Sequence, residues 1–580
     1  MSQIQSEVDI IFVGGGTAAC VAAGRLAKSN PELSILLVEQ GSNNYQEPSV
    51  VTPAVFLSHL APTSKTAVFW QGNKSDALNG RSPIVPSGRM LGGGSSVNFL
   101  MYTRPSASDF DDWKTEGWGS KDLLPLLRKV SFGDKEHFPA IAQSYLEVAQ
   151  KRGVPLAQDK QDLKTGHGCQ RWAKWVDPAT GYRQDAAHRY IHPLSDNEHL
   201  HILTATKVVR VVFDGNKATG VEVVGDKDTE EGADQTPRVI KARKLVVVSA
   251  GALGSPVVLQ RSGVGEAERL TKLGIDAVSD LPIGSTYEDH HLVLTPYHVP
   301  DDADTIDPIM SQDPAFLQQA QAHFAQGKGA LTTNWIDSGS KLRPTPKELE
   351  EIGPAFAPVW KKYFEPNPDK PVMLQAVVAG WLGPRELLPH KDNRMIMMGN
   401  FTAYPISRGH VYITSKDPYA APDFETGFFK EQADVDVHIW AYKHAREIAR
   451  RLPQYRGEFA ALHPKFPEGS AAGCVKLEGP PDVDNVKDIV YTAEDNKAIE
   501  SYVRQLVETT WHSVGTILMK AKEQGGSVDT RLNVYGTQNL KVADLSIIPG
   551  NVGSNTNSTA LVIGEKAAVI IAEDLGLKLN

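Results

Sequence analysis

The stretch Val8-Asp9-Ile10-Ile11-Phe12-Val13-Gly14-Gly15-Gly16-Thr17-Ala18-Ala19 decides the fold of this chain. An apolar run is followed at once by a glycine turn and then by small residues that suit a helix. A second apolar run, Ile35-Leu36-Leu37-Val38, ends at the acid Glu39. Strand, glycine turn, helix, strand and terminal acid are the parts of a dinucleotide-binding βαβ unit. The sequence therefore predicts an α/β fold of the Rossmann type.

Five residues of this unit have a predicted role in holding a dinucleotide. Gly14 permits the tight turn, and Gly16 lets the backbone approach a pyrophosphate. The pyrophosphate would lie at the start of the helix, beside Thr17 and Ala18, where free N–H groups and the helix dipole favour negative charge. Glu39 stands where an acid accepts hydrogen bonds from a ribose hydroxyl. These residues are therefore predicted to contact the cofactor.

Length and composition limit the classes of protein that the chain can belong to. At about 150 residues per domain, 580 residues suggest about four units, or two if one large α/β domain carries insertions. The net charge is −9 with no basic stripe, which argues against a nucleic-acid partner. Cys20, Cys169 and Cys474 are far apart, so they give neither a disulfide framework nor metal-ligand spacing. We expect a reducing compartment and no metal site.

The sequence shows neither a membrane span nor a targeting signal. It has no run of 18 apolar residues, so we expect no membrane partner. Residues 1–7 lack the charged and apolar regions of a secretory signal. The last residues, Leu577-Lys578-Leu579-Asn580, are not a Ser-Lys-Leu peroxisomal address. We therefore expect a cytoplasmic protein.

Strand-like and helical patterns alternate along the chain in blocks. Strand-like runs stand at 208–213, 220–224, 244–250 and 540–544, and helical patterns at 347–352, 435–451 and 560–575. We predict a discontinuous nucleotide-binding domain made of residues 1–105, 200–289 and 516–580. Residues 106–199 and 290–515 are predicted to form an α+β domain that binds substrate and caps the first one.

Four further segments resemble the signatures of the glucose-methanol-choline (GMC) oxidoreductase family. They are Pro86-Ser87-Gly88-Arg89-Met90-Leu91-Gly92-Gly93-Gly94-Ser95-Ser96-Val97-Asn98, Ser249-Ala250-Gly251-Ala252-Leu253-Gly254-Ser255-Pro256, Trp511-His512-Ser513-Val514-Gly515-Thr516 and Val542-Ala543-Asp544-Leu545-Ser546. They follow the opening unit in the family's order and span nearly the whole chain, which is thus identified as a member. The resemblance implies a Rossmann-like FAD-binding domain, a substrate-binding domain and a flavin oxidoreductase acting on CH–OH donors.

Within the family, the chain is most similar to the fungal alcohol (methanol) oxidases. The similarity is carried by residues 91–104, 114–118 and 551–561, although the chain is shorter than those oxidases usually are. It implies FAD-dependent oxidation of a short primary alcohol to an aldehyde, with reduction of O2 to H2O2. The partners would be a small alcohol and O2, and the protein would be a possible homo-oligomer. The alternatives are a GMC oxidase of another small substrate such as formate, a GMC dehydrogenase, and a flavin-binding protein without catalysis.

The resemblance places two catalytic residues, and their chemistry suits the reaction. His512 is the candidate base, because an imidazole titrates near neutral pH and can accept a hydroxyl proton. Asn555 stands at the family's second catalytic position, where an amide can donate one hydrogen bond and accept another without charge. A carboxylate such as formate would be held better by an arginine, which Arg104 or Arg531 would have to supply. Phe99 and Trp511 are tentative substrate-pocket residues.

The remaining cofactor contacts are implied by the same resemblance. The three glycines at 92–94 remove every Cβ that would keep a flat ring away from the backbone. The predicted contacts there and in the other signatures are Gly92, Gly94, Ser95, Asn98, Val209, Ala250, Gly251, Asp544 and Thr556. Some members attach FAD covalently through a histidine at the position of Val97. Valine cannot form that bond, so we predict non-covalent FAD.

Overall fold

Two large β-sheets carry the fold in a computed structural model, which describes residues 6–127, 137–159 and 161–579. The first sheet has seven strands, in the order Leu200–Leu203, Ile35–Val38, Glu7–Val13, Arg238–Val248, Lys217–Gly225 and Thr206–Asp214, with Leu540–Val542 paired to Arg238–Val248. Glu7–Val13 is parallel to both of its neighbours, and Leu540–Val542 is parallel to its own partner. Lys217–Gly225 and Thr206–Asp214 extend the sheet in antiparallel register.

The predicted βαβ unit is present at the centre of this sheet. The strand Glu7–Val13 leads through the glycine turn into the helix Thr17–Ser29, which returns to the strand Ile35–Val38. Residues Ile10–Val13 pair in parallel with all four residues of Ile35–Val38, whose side chains are all buried. Strands buried on both faces read as continuous apolar runs, which is how these two read in the sequence. The predicted α/β, Rossmann-like class is confirmed.

A helix from the end of the chain covers the helix of the βαβ unit. Asn557–Leu575 packs on Thr17–Ser29, and a Cβ added at Gly564 would come within 2.6 Å of the carbonyl oxygen of Ala18. Glycine therefore permits this close approach of the two helices. Arg25 and Glu565 form an ion pair between them at 2.8 Å.

The second sheet is antiparallel and supplies the other wall of the site. Its six strands run in the order Glu508–Thr509, His291–His298, Met395–Thr402, Met373–Val378, Ser338–Leu342 and Gly168–Arg171. The helices Ala140–Lys151 and Gln432–Ala449 pack against it. All side chains of Met373–Val378 and Met395–Thr402 are buried, so neither face of the sheet centre meets solvent.

The strands of the two sheets separate along the predicted division of the chain. Every strand of the first sheet lies within 1–105, 200–289 or 516–580. Every strand of the second sheet lies within 106–199 or 290–515. The exact domain boundaries stay a prediction.

Shorter elements complete the architecture. The two-stranded sheets are Ala67–Gln71 with Ile84–Gly88, Met101–Tyr102 with Ala173–Lys174, Val264–Gly265 with Ser279–Asp280, and His410–Tyr412 with Asp423–Glu425. The other α-helices are Pro48–Val51, Gly94–Val97, Ala107–Asp111, Ser120–Leu127, Ala186–Tyr190, Gly251–Arg261, Ala267–Lys272, Asp307–Met310, Pro314–Phe324, Pro346–Ile352, Ala357–Val359 and Ala493–Leu506. Among the described residues, no helix combines the length and apolarity needed to cross a bilayer.

Candidate active site

A cavity of about 360 Å³ is lined by residues of both sheets. It brings together most of the site residues predicted from the sequence. These are Gly14, Gly16, Thr17, Ala18, Glu39, Gly94, Asn98, Phe99, Ala250, Gly251, Trp511, His512, Asp544, Asn555 and Thr556. Segments separated by hundreds of residues therefore meet around one space, with the βαβ unit at one end and His512 at the other.

Three predicted cofactor residues are not among those that line the cavity. The carbonyl of Gly92 accepts hydrogen bonds from the hydroxyls of Thr17 at 3.1 Å and Ser95 at 2.6 Å. Gly92 and Ser95 thus stabilise the glycine loop, and the neighbouring Gly93 lines the cavity. The Val209 carbonyl accepts a hydrogen bond from Nε of Arg261 at 2.9 Å. The preceding residue, Val208, lines the cavity.

The nucleotide end of the cavity is built from backbone. Gly14 has a φ of +97°, and a Cβ there would lie 2.6 Å from the carbonyl oxygen of Ser249. A Cβ at Gly93 would lie 2.8 Å from the Cα of Gly16, so the two glycine loops touch. Side chains at these positions would force the loops apart, which explains the need for glycine.

Glu39 closes the same end of the cavity as a buried carboxylate. Its two oxygens accept hydrogen bonds from the backbone N–H groups of Gly15 and Gly41, each at 2.8 Å. Burial raises the pKa of Glu39, and these two hydrogen bonds act against that rise. The carboxylate retains lone pairs on the side of the cavity, as a ribose partner requires.

The cavity wall leaves room where a dinucleotide needs it. A Cβ added at Gly94 or Gly251 would meet no protein atom within 4 Å. The helices Thr17–Ser29 and Gly251–Arg261 both begin at the cavity, where their free N–H groups suit a pyrophosphate. Asp544 accepts the N–H of Gly251 at 2.9 Å and so fixes the second of these helix starts. The residues present therefore fit FAD.

The end of the cavity that holds the two predicted catalytic residues, His512 and Asn555, is built from side chains; it is called the catalytic end below. Nε2 of His512 lies 3.3 Å from the amide nitrogen of Asn555. Asn555 is held by Thr103, whose hydroxyl donates to Oδ1 at 2.7 Å and accepts the Asn555 backbone N–H at 2.8 Å. The rings of Phe99 and Trp511 stand 4.5 Å apart beside this pair. The polar pair and the two aromatic rings thus line the same cavity.

A local bulge carries His512 into the cavity. The backbones of Glu288 and Val514 form an isolated antiparallel β-bridge, and His291 pairs with Thr509 in the second sheet. Four residues, 510–513, therefore lie opposite only two, 289–290. Trp511 takes up the excess with a φ of +60°, a left-handed conformation that non-glycine residues rarely adopt. Such bulges re-aim side chains at functional sites, as this one does for His512.

Burial sets the charge of the groups at this end. The pKa of His512 is held well below its usual range, first by burial and then by the neighbouring His290. Burial raises the pKa of Asp289 to about 6, against hydrogen bonds from Thr509, Tyr287 and the His512 N–H. His512 is therefore an uncharged imidazole at neutral pH, the form that can accept a proton.

Sequence reasoning missed four residues of the site. Thr103 lies within the stretch 91–104 that resembles the alcohol oxidases, so a signal for it existed. Asp289 and His290 lie between a turn and a strand, and nothing local distinguishes them from structural residues. His59 lines the cavity with a buried Nε2 that has no hydrogen-bond partner in the described part of the chain, while its Nδ1 contacts the Thr66 hydroxyl at 2.8 Å.

Comparison with known proteins gives the family. Models of the GMC oxidoreductase family match residues 8–292 and 405–564. An alcohol oxidase of Candida boidinii is 41% identical over 99% of this chain and 96% of its own length. Alcohol oxidase 1 of Komagataella phaffii is 38% identical with the same coverage. The structure of a single-substitution variant of Aspergillus oryzae formate oxidase shares the fold, with a TM-score of 0.82 over 99% of both chains at 20% identity. The chain belongs to the GMC oxidoreductase family of flavin enzymes that act on CH–OH donors.

Proposed function

We propose that this protein oxidises short primary alcohols to aldehydes with FAD and passes the electrons to O2, forming H2O2. One observation carries the proposal: an uncharged His512 faces the cavity beside the neutral amide of Asn555. The identity of 41% to an alcohol oxidase over nearly the whole chain supports the substrate class.

The side chains of the site suit the proton chemistry of this reaction. An alcohol must lose the hydroxyl proton and a hydride from the α-carbon. When bound, FAD would supply the acceptor for this hydride. The alcohol hydroxyl displaces the Asn555 N–H from Nε2 of His512, which then takes the hydroxyl proton. The Asn555 amide donates instead to the alcohol oxygen as negative charge develops on it. Phe99 and Trp511 exclude water from this end of the cavity.

The polar groups near His512 favour an alcohol over formate. Neither of the two arginines considered for a carboxylate lines the cavity. Arg104 donates to the Tyr102 hydroxyl at 2.5 Å and to backbone carbonyls. Arg531 is paired with Glu573 and Asp574. A neutral hydroxyl needs no arginine, so the pair of His512 and Asn555 suffices for it.

We further propose that FAD is held without a covalent bond. Val97 lines the cavity, and its side chain has no nucleophilic atom. Precipitating the protein with acid should therefore release all yellow colour to the supernatant. Flavin retained in the pellet would contradict this, and His59 would then be the side chain to replace first. Sedimentation velocity would show whether the protein forms a homo-oligomer, which the resemblance leaves open.

Anaerobic mixing of the yellow protein with methanol tests the proposed function. Bleaching of the flavin band, followed by peroxide when air is admitted, is the expected result. A flavin that dithionite bleaches but methanol, ethanol and propanol do not would refute the short-alcohol proposal. Bleaching without peroxide would identify a dehydrogenase instead of an oxidase.

A further inference from the structure

A second buried histidine stands directly behind the proposed base. Nδ1 of His290 lies 2.9 Å from Nδ1 of His512, and the two rings meet edge to face, with an angle of 83° between their planes. Both rings are buried, and burial lowers the pKa of His290 to about 3. Two neutral imidazoles that touch nitrogen to nitrogen share a single hydrogen. The question is which ring carries it.

Asn555 decides the direction of this hydrogen bond. The Thr103 hydroxyl accepts the backbone N–H of Asn555, so it uses its own hydrogen to donate to Oδ1. The amide nitrogen of Asn555 therefore faces His512 and offers an N–H to Nε2. If His290 donated to His512, the neutral His512 would carry its hydrogen on Nε2 and place two donors against each other. The opposite direction avoids this clash and lets the Asn555 N–H meet an acceptor.

The surroundings of His290 suit a fixed acceptor. Its ring stacks on Phe401 with centroids 5.2 Å apart and 23° between the planes. The backbone carbonyls of Val552 and Ala403 raise the pKa of His290 against the effect of burial, which shows that acceptors surround the ring, although Nε2 has no hydrogen-bond partner among the described residues. A hydrogen on Nε2 of neutral His290 leaves Nδ1 free to accept.

We infer that His290 is a positioning residue that accepts the Nδ1–H of His512 and so keeps Nε2 of His512 without a hydrogen, as the acceptor that faces Asn555 and the cavity. The inference rests on the proposed alcohol oxidation, in which Nε2 receives the hydroxyl proton. Once protonated, His512 has N–H groups on both nitrogens, and His290 continues to accept one of them. The same contact therefore selects the active tautomer and stabilises the cation that follows.

Two substitutions at one position separate this role from packing. His290→Phe keeps an aromatic ring against Phe401 but removes the acceptor. His290→Asn keeps an acceptor close to the position of Nδ1. We expect the limiting rate of anaerobic flavin reduction by methanol to fall at least about tenfold in the first variant and to stay within about threefold of the parent in the second. His291→Phe is the matched control, since this neighbouring buried histidine contacts Phe428 and Phe429 and not His512.

The pH dependence of the rate lost in His290→Phe distinguishes an effect on the tautomer of His512 from an effect on its charge. A tautomer ratio does not change with pH, so the deficit of His290→Phe should be the same from pH 7 to 9. Recovery of the rate at pH 9 would show that His290 acts only on the charge of His512 and would overturn the inference. Equal losses in the Phe and Asn variants, or no loss in the Phe variant, would overturn it as well.

A spectroscopic readout makes the test independent of turnover. In protein labelled with 15N-histidine, the His512 signals, assigned by their loss in His512→Gln, should show a hydrogen on Nδ1 and none on Nε2. In His290→Phe the hydrogen should move to Nε2. An unprotonated Nδ1 in the parent would refute the inference. If methanol fails to reduce the parent flavin, the proposed function fails, while this tautomer measurement still decides the role of His290.

Discussion

The two ends of the cavity are built by different means. At the nucleotide end, glycine backbones touch one another, and the residues that matter are neighbours in short motifs such as 14–19 and 92–94. At the catalytic end, side chains from four distant segments, carrying Thr103, His290, His512 and Asn555, hold one another by hydrogen bonds. Binding of the nucleotide therefore depends on local chain geometry, whereas the catalytic chemistry depends on the assembled fold.

The largest expected effect comes from a substitution that disrupts the catalytic end alone. His512→Ala removes the base and should slow anaerobic flavin reduction by methanol at least about a hundredfold, because a general base contributes ~10²–10⁴-fold. Stopped-flow absorbance measures the rate. FAD content should remain normal, since the glycine loops are untouched. Reduction at the parent rate would remove His512 from the mechanism.

The next prediction breaks the nucleotide end. Gly14→Ala places a Cβ 2.6 Å from a backbone oxygen at a φ of +97°, and should lower the free energy of unfolding by at least about 2 kcal/mol. Gly94→Ala is the matched control, because its Cβ meets no protein atom within 4 Å. It should unfold within about 0.5 kcal/mol of the parent when FAD is absent and bind FAD more weakly.

Denaturant unfolding of the stripped proteins and titration with FAD measure the two quantities. If Gly94→Ala binds FAD as tightly as the parent does, the loop does not approach the cofactor. If Gly14→Ala is as stable as the parent, the backbone contact with Ser249 is not needed.

The smallest expected effect tests how the charge of His512 depends on its neighbour at the catalytic end. Because the pKa of His512 is held well below its usual value, the parent should reduce its flavin at a rate that is constant from pH 6.5 to 8. Asn555→Asp puts a carboxylate beside Nε2, which raises the pKa of His512 and protonates the base as the pH falls. We expect about a tenfold loss at pH 6.5 that shrinks by pH 8. A variant as flat with pH as the parent would contradict this reading.

The sequence predicts the first sheet better than the second for a physical reason. The strands around 8–13 and 35–38 are each followed by a glycine within three residues. Their local sequence pattern therefore indicates a short strand and not a helix. Met373–Val378 and Met395–Thr402 are buried on both faces and lack the alternation that identifies a strand. A mainly apolar segment of six to eight residues without alternation is equally compatible with a buried helix, so only pairing across the sheet decides its structure.

The same contrast holds within the site. His512 was predicted because it lies inside a family signature, and Asn555 because it lies in the stretch 551–561 that is similar to the alcohol oxidases. His290 was not, because its partner is 222 residues away and their contact exists only after the second sheet and the bulge at 510–513 have formed. Val209 and Ser95 were predicted to contact the cofactor but do not line the cavity. The sequence identified the correct segments but not which residue in each faces the cavity.

The packing of Asn557–Leu575 on Thr17–Ser29 has a consequence for biosynthesis. Roughly 530 residues separate the two helices along the chain. At about 5–20 residues per second, translation takes about half a minute to nearly two minutes to supply the second helix after the first has been made. The apolar surface of the nascent βαβ unit must stay uncovered for that time. Production of this protein should therefore be sensitive to chaperone supply and to growth temperature, independently of the stability of the finished molecule.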